Sequence, residues 1–226
     1  MFRALLDLLF PRYCLGCHGV LNKGEETICT TCQYKMPRTA AQPVAKEALA
    51  QKFYGRATIA SLHAYLTFTK GGNVQRMLHA LKYKGHQEVG ELLGRWYGDE
   101  LRALGYDQTI DVIIPVPLHR KRQRSRGYNQ SDCFAKGLSA ALGVDWSAEI
   151  LKKRKNVNSQ TRLSRVQRME NVQDVFFVEN PDQILNKRVA LVDDIITTGA
   201  TLEACVEALK QNGCREVHIL TIATAT

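Results

Sequence analysis

A mostly parallel α/β sheet flanked by helices, behind a small metal-binding head, is the fold this sequence predicts, on three observations. Four cysteines near the start form two CxxC pairs, Cys14 with Cys17 and Cys29 with Cys32. The runs DVIIPVPL (111–118) and RVALVDD (188–194) are apolar without alternation, as in strands covered on both faces. Stretches with apolar residues at helical spacing alternate with such strands, which implies right-handed crossovers in a mostly parallel sheet.

The bulk properties agree. The chain has 226 residues, 45% hydrophobic and 23% charged, which suits a folded core and argues against wholesale disorder. The organisation expected is a head over 1–40, a connector over 41–56 and an α/β domain over 57–226. A net charge of +9 favours anionic partners: nucleic acid, phosphorylated metabolites or an anionic membrane surface. No apolar stretch approaches the ~18 residues of a membrane span.

Taken in order, FRALLDLLF (2–10) reads as a short amphipathic helix. Asp7 interrupts its apolar run and no small-residue cleavage site follows before Cys14, so it is not read as an export signal. A cytoplasmic location, with at most a peripheral membrane contact, is the expectation. In the head, thiolates two residues apart grip one ion from the same side, and a second pair completes a tetrahedron. Gly16, Gly19 and Gly24 supply the turns. A reducing compartment favours zinc over two disulfides, while iron in the same four-thiolate site stays open. Cys14-Leu-Gly-Cys17-His18 also matches a haem-attachment pattern, but that reading needs export and leaves Cys29 and Cys32 unexplained. Four thiolates close the site to substrate, so its role is structural, and His18 is expected at the surface. Cys133, Cys205 and Cys214 are scattered and read as small buried residues.

Pro37 and Pro43 mark the connector. Residues 56–66 read as a strand or strand pair. Val74, Met77, Leu78 and Leu81 share one face of a helix, and 87–104 form a second. The strand of 111–118 leaves through two prolines into a basic loop containing Arg120, Lys121, Arg122, Arg124 and Arg126. A helix over 129–142, a strand over 174–179, a strand over 188–194, a helix over 200–211 stopped by Asn212-Gly213, and a strand over 215–223 complete the chain. A second basic segment, 151–171, includes Lys152, Lys153, Arg154, Lys155, Arg162, Arg165 and Arg168. Polar, loop-like residues follow in each basic segment (127–130 and 158–161), which points to anion binding beyond solubility. Tyr83 and Tyr128 are candidate stacking platforms for bases, with core packing as the competing role.

The most informative segment is VALVDDIITTGATLEACVEAL (189–209). A buried strand ends in Asp193-Asp194, a short loop over 195–199 follows, and a helix starts near Ala200. Ligands of open α/β sheets bind beyond the carboxyl ends of strands. The helix N-terminus offers N–H groups and partial positive charge, Thr197, Thr198 and Thr201 add hydroxyls, and Gly199 permits close backbone approach. Together these form a monophosphate cradle. The carboxylates just upstream suit ribose hydroxyls, with divided roles because adjacent strand residues face opposite ways.

VDDIITTGAT (192–201) resembles the 5-phosphoribosyl-1-pyrophosphate signature of type I phosphoribosyltransferases. The resemblance implies that fold type for the sheet, ribose contacts from Asp193 and Asp194, and a 5′-phosphate held by Thr197, Thr198, Gly199, Ala200 and Thr201. It also implies Mg2+ with the pyrophosphate. Adding the cysteine head, LFPRYC (9–14), LKYKG (81–85), PVPLHRKRQRSRGYNQ (115–130), and Gln160 to Arg168 with Asn171, the chain is similar over nearly its whole length to the ComF (GntX) family of competence-related proteins. That similarity implies a role in natural transformation or DNA utilisation, with single-stranded DNA and DNA-uptake helicase or channel machinery as partners. Arg120, Lys121, Arg122, Arg124, Arg126, Lys82, Lys84 and Arg162 are then the candidate contacts to pyrophosphate or nucleic acid. The alternative is an orthodox phosphoribosyltransferase acting on a nucleobase or small amine.

Overall fold

The computed structural model describes residues 10–41, 49, 51, 53, 57–154 and 175–225. The expected N-terminal helix over 2–10, all but the last residue of it, lies outside these residues. So do most of the connector and the basic segment beyond Arg154, including Arg162.

Four strands form a parallel sheet in the order β1 (Ser61–Phe68), β6 (Glu216–Ala225), β5 (Arg188–Ile196) and β2 (Val112–Pro115). The two central strands are the long apolar ones, and Val189 to Val192 have no exposed surface. One face of the sheet packs against α2 (Asn73–Tyr83), α3 (Gln87–Ala103) and α5 (Gln130–Leu142). The other packs against α6 (Ala200–Gln211), together with Leu49 and Phe53. In the head, α1 (Thr30–Tyr34) follows the second cysteine pair's first member, and the remaining short helix, α4 (Arg120–Arg126), carries the first basic cluster.

The sheet edges are covered, as free edges invite foreign strands. Beside β1, Arg38 pairs with Leu66 and the Thr67 N–H donates to the Pro37 carbonyl at 2.8 Å. Beside β2, Trp146 pairs with Ile113.

Helices α3 and α5 approach each other through glycine. Gly90, Gly94 and Gly98 recur every fourth residue on α3 and face Cys133, Gly137 and Ala141 of α5 in turn. A Cβ on Gly94 would overlap the Phe134 carbonyl oxygen, and one on Gly137 the Glu91 carbonyl oxygen. This seam sets the position of α5, whose first turn reaches the functional site.

Two expectations are corrected. Residues 120–126 form a helix, not a loop. No Gly or Pro interrupts them, His119 caps the start by accepting the Lys121 N–H at 3.2 Å, and Gly127 ends it at φ +81. The strand expected at 174–179 is β4 (Phe176–Val178), which pairs antiparallel with β3 (Leu151–Lys153) in a separate two-stranded sheet. The helix expected over 129–142 is α5, with Asn129 as its N-cap and Asn129, Gln130 and Ser131 buried. Of the stretch 56–66, residues 61–66 belong to the single strand β1, residues 57–60 precede it, and residue 56 lies outside the described residues.

Because the neighbours at Gly137 are backbone atoms, Gly137→Ala is expected to lower unfolding free energy by about 2–3 kcal/mol. Urea denaturation should show a reduced midpoint with an unchanged slope.

Candidate functional site

Strand β5 is apolar until Val192 and then turns acidic where it leaves the core. Asp193 Oδ1 accepts the Ser131 hydroxyl at 2.9 Å and the Asp194 backbone N–H at 2.8 Å. Asp194 Oδ1 lies 3.0 Å from Lys82 Nζ, and these two side chains are only 14% and 19% exposed, so water screens the pair weakly. Burial, and then the neighbouring Asp194 charge, push the Asp193 carboxyl up to about 7.

Beyond Ile196 come Thr197, Thr198 and Gly199, and α6 begins at Ala200. Gly199 is left-handed at φ +81, and no side chain caps α6. With glycine as the N-cap residue, the first turn of α6 is open to the close approach of a ligand. A side chain on Gly199 would also meet Phe53, whose ring would come within 3.0 Å of the added Cβ. The chain between the head and the sheet therefore touches the back of this loop.

A cleft of about 700 Å3 opens over the carboxylates. Asp193, Asp194, Thr197 and Thr201 form one side, and Lys82, Lys121, Arg122, Arg126 and Lys153 supply cations around it. Five cations against two carboxylates favour a polyanion. An adjoining cavity of about 600 Å3 shares Lys82, Lys121, Arg122 and Arg126 with this cleft.

The expected site residues divide. Asp193, Asp194, Thr197, Thr201, Lys82, Lys121, Arg122 and Arg126 converge on the cleft, with Thr198, Gly199 and Ala200 in the adjoining loop and helix start. Arg120 instead lines a neighbouring cleft of about 460 Å3 with Asp132 and Glu149. Arg124 is exposed on α4 and lines neither basic cavity. Lys84 borders a small cavity beside His18 and Arg76. Tyr128 packs on the core and donates its hydroxyl to the Leu81 carbonyl.

Several contributors were not singled out from sequence. Asn129 caps α5 by accepting the Ser131 N–H at 3.3 Å, and its amide donates to the Val116 carbonyl at 3.0 Å and Asp132 at 2.7 Å. These bonds aim Ser131 at Asp193. Gln130 accepts from Arg126 and so orients it. Lys153, which the sequence placed only within the second basic segment, is half-buried and 4.9 Å from the Phe176 ring centroid, and burial lowers its pKa. The helix start at Asn129 was legible, as an asparagine ahead of an apolar helical stretch, but the contacts it directs were not.

The four head cysteines have sulfurs within 4.8 Å of one another. Backbone N–H groups of Gly16 and Cys29 point at Cys14 Sγ at 3.3 and 3.2 Å, and that of Cys32 at Cys29 Sγ at 3.4 Å. Donors of this kind favour thiolates, and four thiolates fit one tetrahedral zinc ion. The Asn73 amide reaches Cys32 Sγ at 3.3 Å, and Arg76 donates to the carbonyls of Gly16 and, at 2.8 Å, Gly71. The first turn of α2 therefore grips the zinc-binding head. His18 is exposed, and Cys133, Cys205 and Cys214 are buried.

Among the described residues no helix is long and apolar enough to cross a membrane.

Comparison with known proteins matches residues 129–225 to the phosphoribosyl transferase domain and residues 5–46 to the double zinc ribbon domain. The latter stretch holds four cysteines, the ligand set of one ion. Competence protein F of Haemophilus influenzae is 38% identical over 116 residues, 51% of each chain. The DNA utilization protein YhgH of Escherichia coli K12 is 32% identical over 147 residues, 63% of each chain. Competence protein ComFC of Bacillus subtilis is 23% identical over 214 residues, 94% of this chain and 84% of the other. The chain thus spans about half to two thirds of the length of the first two relatives.

The raised Asp193 pKa has a consequence for stability. Its value exceeds the ordinary 3.8, so ionising it in the fold costs free energy that is absent below pH 3.8 and complete above about pH 7. Asp193→Asn is expected to raise Tm by roughly 2–6 °C at pH 8. Thermal denaturation should show that gain shrinking towards zero at about pH 4.

Proposed function

We propose that this chain, which belongs to the ComF (GntX) family of competence-related proteins, binds phosphoribosyl pyrophosphate in the cleft over Asp193 and Asp194 and single-stranded DNA along its basic rim. The observation that carries the reading is the joining, in one cleft, of a carboxylate pair, an uncapped helix N-terminus and five cations. Phosphoribosyl pyrophosphate carries matching groups in the matching order. Its ribose hydroxyls donate to Asp193 and Asp194. Its 5′-phosphate accepts from the N-terminus of α6 and from the hydroxyls of Thr197, Thr198 and Thr201. Its pyrophosphate meets Lys82, Lys121, Arg122 and Arg126, with Lys153 opposite.

The carboxylates also suit Mg2+, which takes oxygen ligands and keeps water around phosphates; it would neutralise part of the pyrophosphate charge. Ser131 and Lys82 hold the two carboxylates apart and oriented before ligand arrives. In any transfer the C1–oxygen bond to pyrophosphate breaks, and the arginines of α4 stabilise the departing charge.

The adjoining cavity favours a polymer over a small base, because it gives the same four cations a second open face, bordered by Tyr83, beyond the cleft. Relatives named for competence and DNA utilisation support a role in DNA uptake or use. In this reading the protein works in the cytoplasm with DNA-uptake helicase or channel machinery. Transfer of phosphoribose to a nucleobase or small amine is the competing reading.

Calorimetric titration with phosphoribosyl pyrophosphate and Mg2+ is expected to show binding that Asp193→Asn with Asp194→Asn weakens by about 100-fold or more. Survival of binding in the double variant would refute the ribose contacts. Binding of single strands should weaken steeply with salt. Lys121→Gln with Arg122→Gln should reduce the magnitude of the log–log slope by about 1.4. Pyrophosphate release on adding single-stranded DNA would identify the strand as acceptor. Release only with a nucleobase or amine would establish the competing enzyme.

A further inference from the structure

The phosphoribose reading makes no use of one aromatic ring on the basic rim. Tyr83, the last residue of α2, is 65% exposed. It is nevertheless held. The Arg126 guanidinium carbon lies 5.1 Å from the ring centroid, and its Nη2 donates to the Tyr83 hydroxyl at 3.5 Å. Arg126 is itself fixed by donating to buried Gln130. The His79 ring, one turn earlier on α2, lies 5.0 Å away and tilted by 46°. An aromatic side chain kept at the surface by a cation–π contact presents ring area to solvent with little freedom to lose on binding.

Its surroundings suit a nucleotide. Tyr83 borders the cavity of about 600 Å3 with Lys82, Lys121, Arg122 and Arg126. The same four cations border the cleft that contains Asp193 and Asp194. Lys82, the adjacent residue, reaches Asp194 at 3.0 Å. A single step along α2 thus separates a contact to the carboxylate pair from an exposed aromatic platform.

We infer that Tyr83 stacks one unpaired base of a single DNA strand while Lys121 and Arg122 take the flanking phosphates, placing that nucleotide beside the phosphoribosyl compartment. This rests on the single-strand reading above. Stacking on a ring tolerates any base, because every base has a π-face. A duplex hides those faces, so the platform discriminates strands by availability of the base rather than by sequence.

The test uses the zinc-loaded full chain and an oligothymidylate carrying one 2-aminopurine. Affinity is read by anisotropy and stacking by quenching of the probe. Tyr83→Ala should reduce affinity about tenfold and abolish quenching. Its salt slope and its binding of phosphoribosyl pyrophosphate should match the unmodified protein, and Tyr83→Trp should restore both affinity and quenching. Unmodified affinity and quenching in Tyr83→Ala, alongside steep salt dependence in the parent protein, would overturn the stacking site and leave the single-strand reading intact. If the parent protein fails to bind the oligomer, both fall together.

Discussion

Two adjacent carboxylates at the mouth of a buried strand are the constraint around which this protein is arranged. Asp193 and Asp194 repel each other in a half-buried setting, and that placement is stable only with donors and cations close by. Ser131 and Lys82 meet the need from different helices. Their placement in turn depends on structure further away. Ser131 is aimed by the Asn129 cap of α5, and α5 is seated on α3 through Gly94 and Gly137. Lys82 sits at the far end of α2, whose first turn holds the cysteine head through Asn73 and Arg76.

That chain of contacts gives the zinc-binding module a physical part in the site without any zinc chemistry there. Four thiolates around one ion close the coordination sphere. What remains is its effect on position: the head fixes the start of α2, and α2 delivers Lys82 to the cleft and Tyr83 to the cavity beside it. A second connection runs through Phe53, which packs behind Gly199 in the phosphate loop.

Much of this was legible in the sequence because the signals were local. Asp193-Asp194 ending an apolar run, TTGAT after it, and the helix of 200–211 all appear where spacing and residue type put them. Paired CxxC motifs do the same for the head. The basic cluster was legible in composition but not in direction. Read as a loop, 120–126 offers all its cations alike. As a helix it sorts them, since residues four apart share a face. Arg122 and Arg126 turn towards Lys82, whereas Arg120 lines a different cleft and Arg124 lines neither basic cavity. The absence of Gly and Pro from 120–126 and the glycine after it were the available clues. Ser131 and the β3–β4 pair were hidden for another reason: their partners lie far away in the chain, and no local period encodes such contacts.

In the proposed reading the carboxylate pair, the 197–201 loop and the α4 cations form one site for a single phosphoribosyl pyrophosphate. A crystal structure of the protein with that ligand and Mg2+ tests it most directly. The 5′-phosphate is expected against Thr197, Thr201 and the start of α6, the ribose hydroxyls on Asp193 and Asp194, and pyrophosphate oxygens on Lys121, Arg122 or Arg126. A ligand bound only by the α4 cations, with Lys82 still on Asp194 and the loop unvisited, would contradict it.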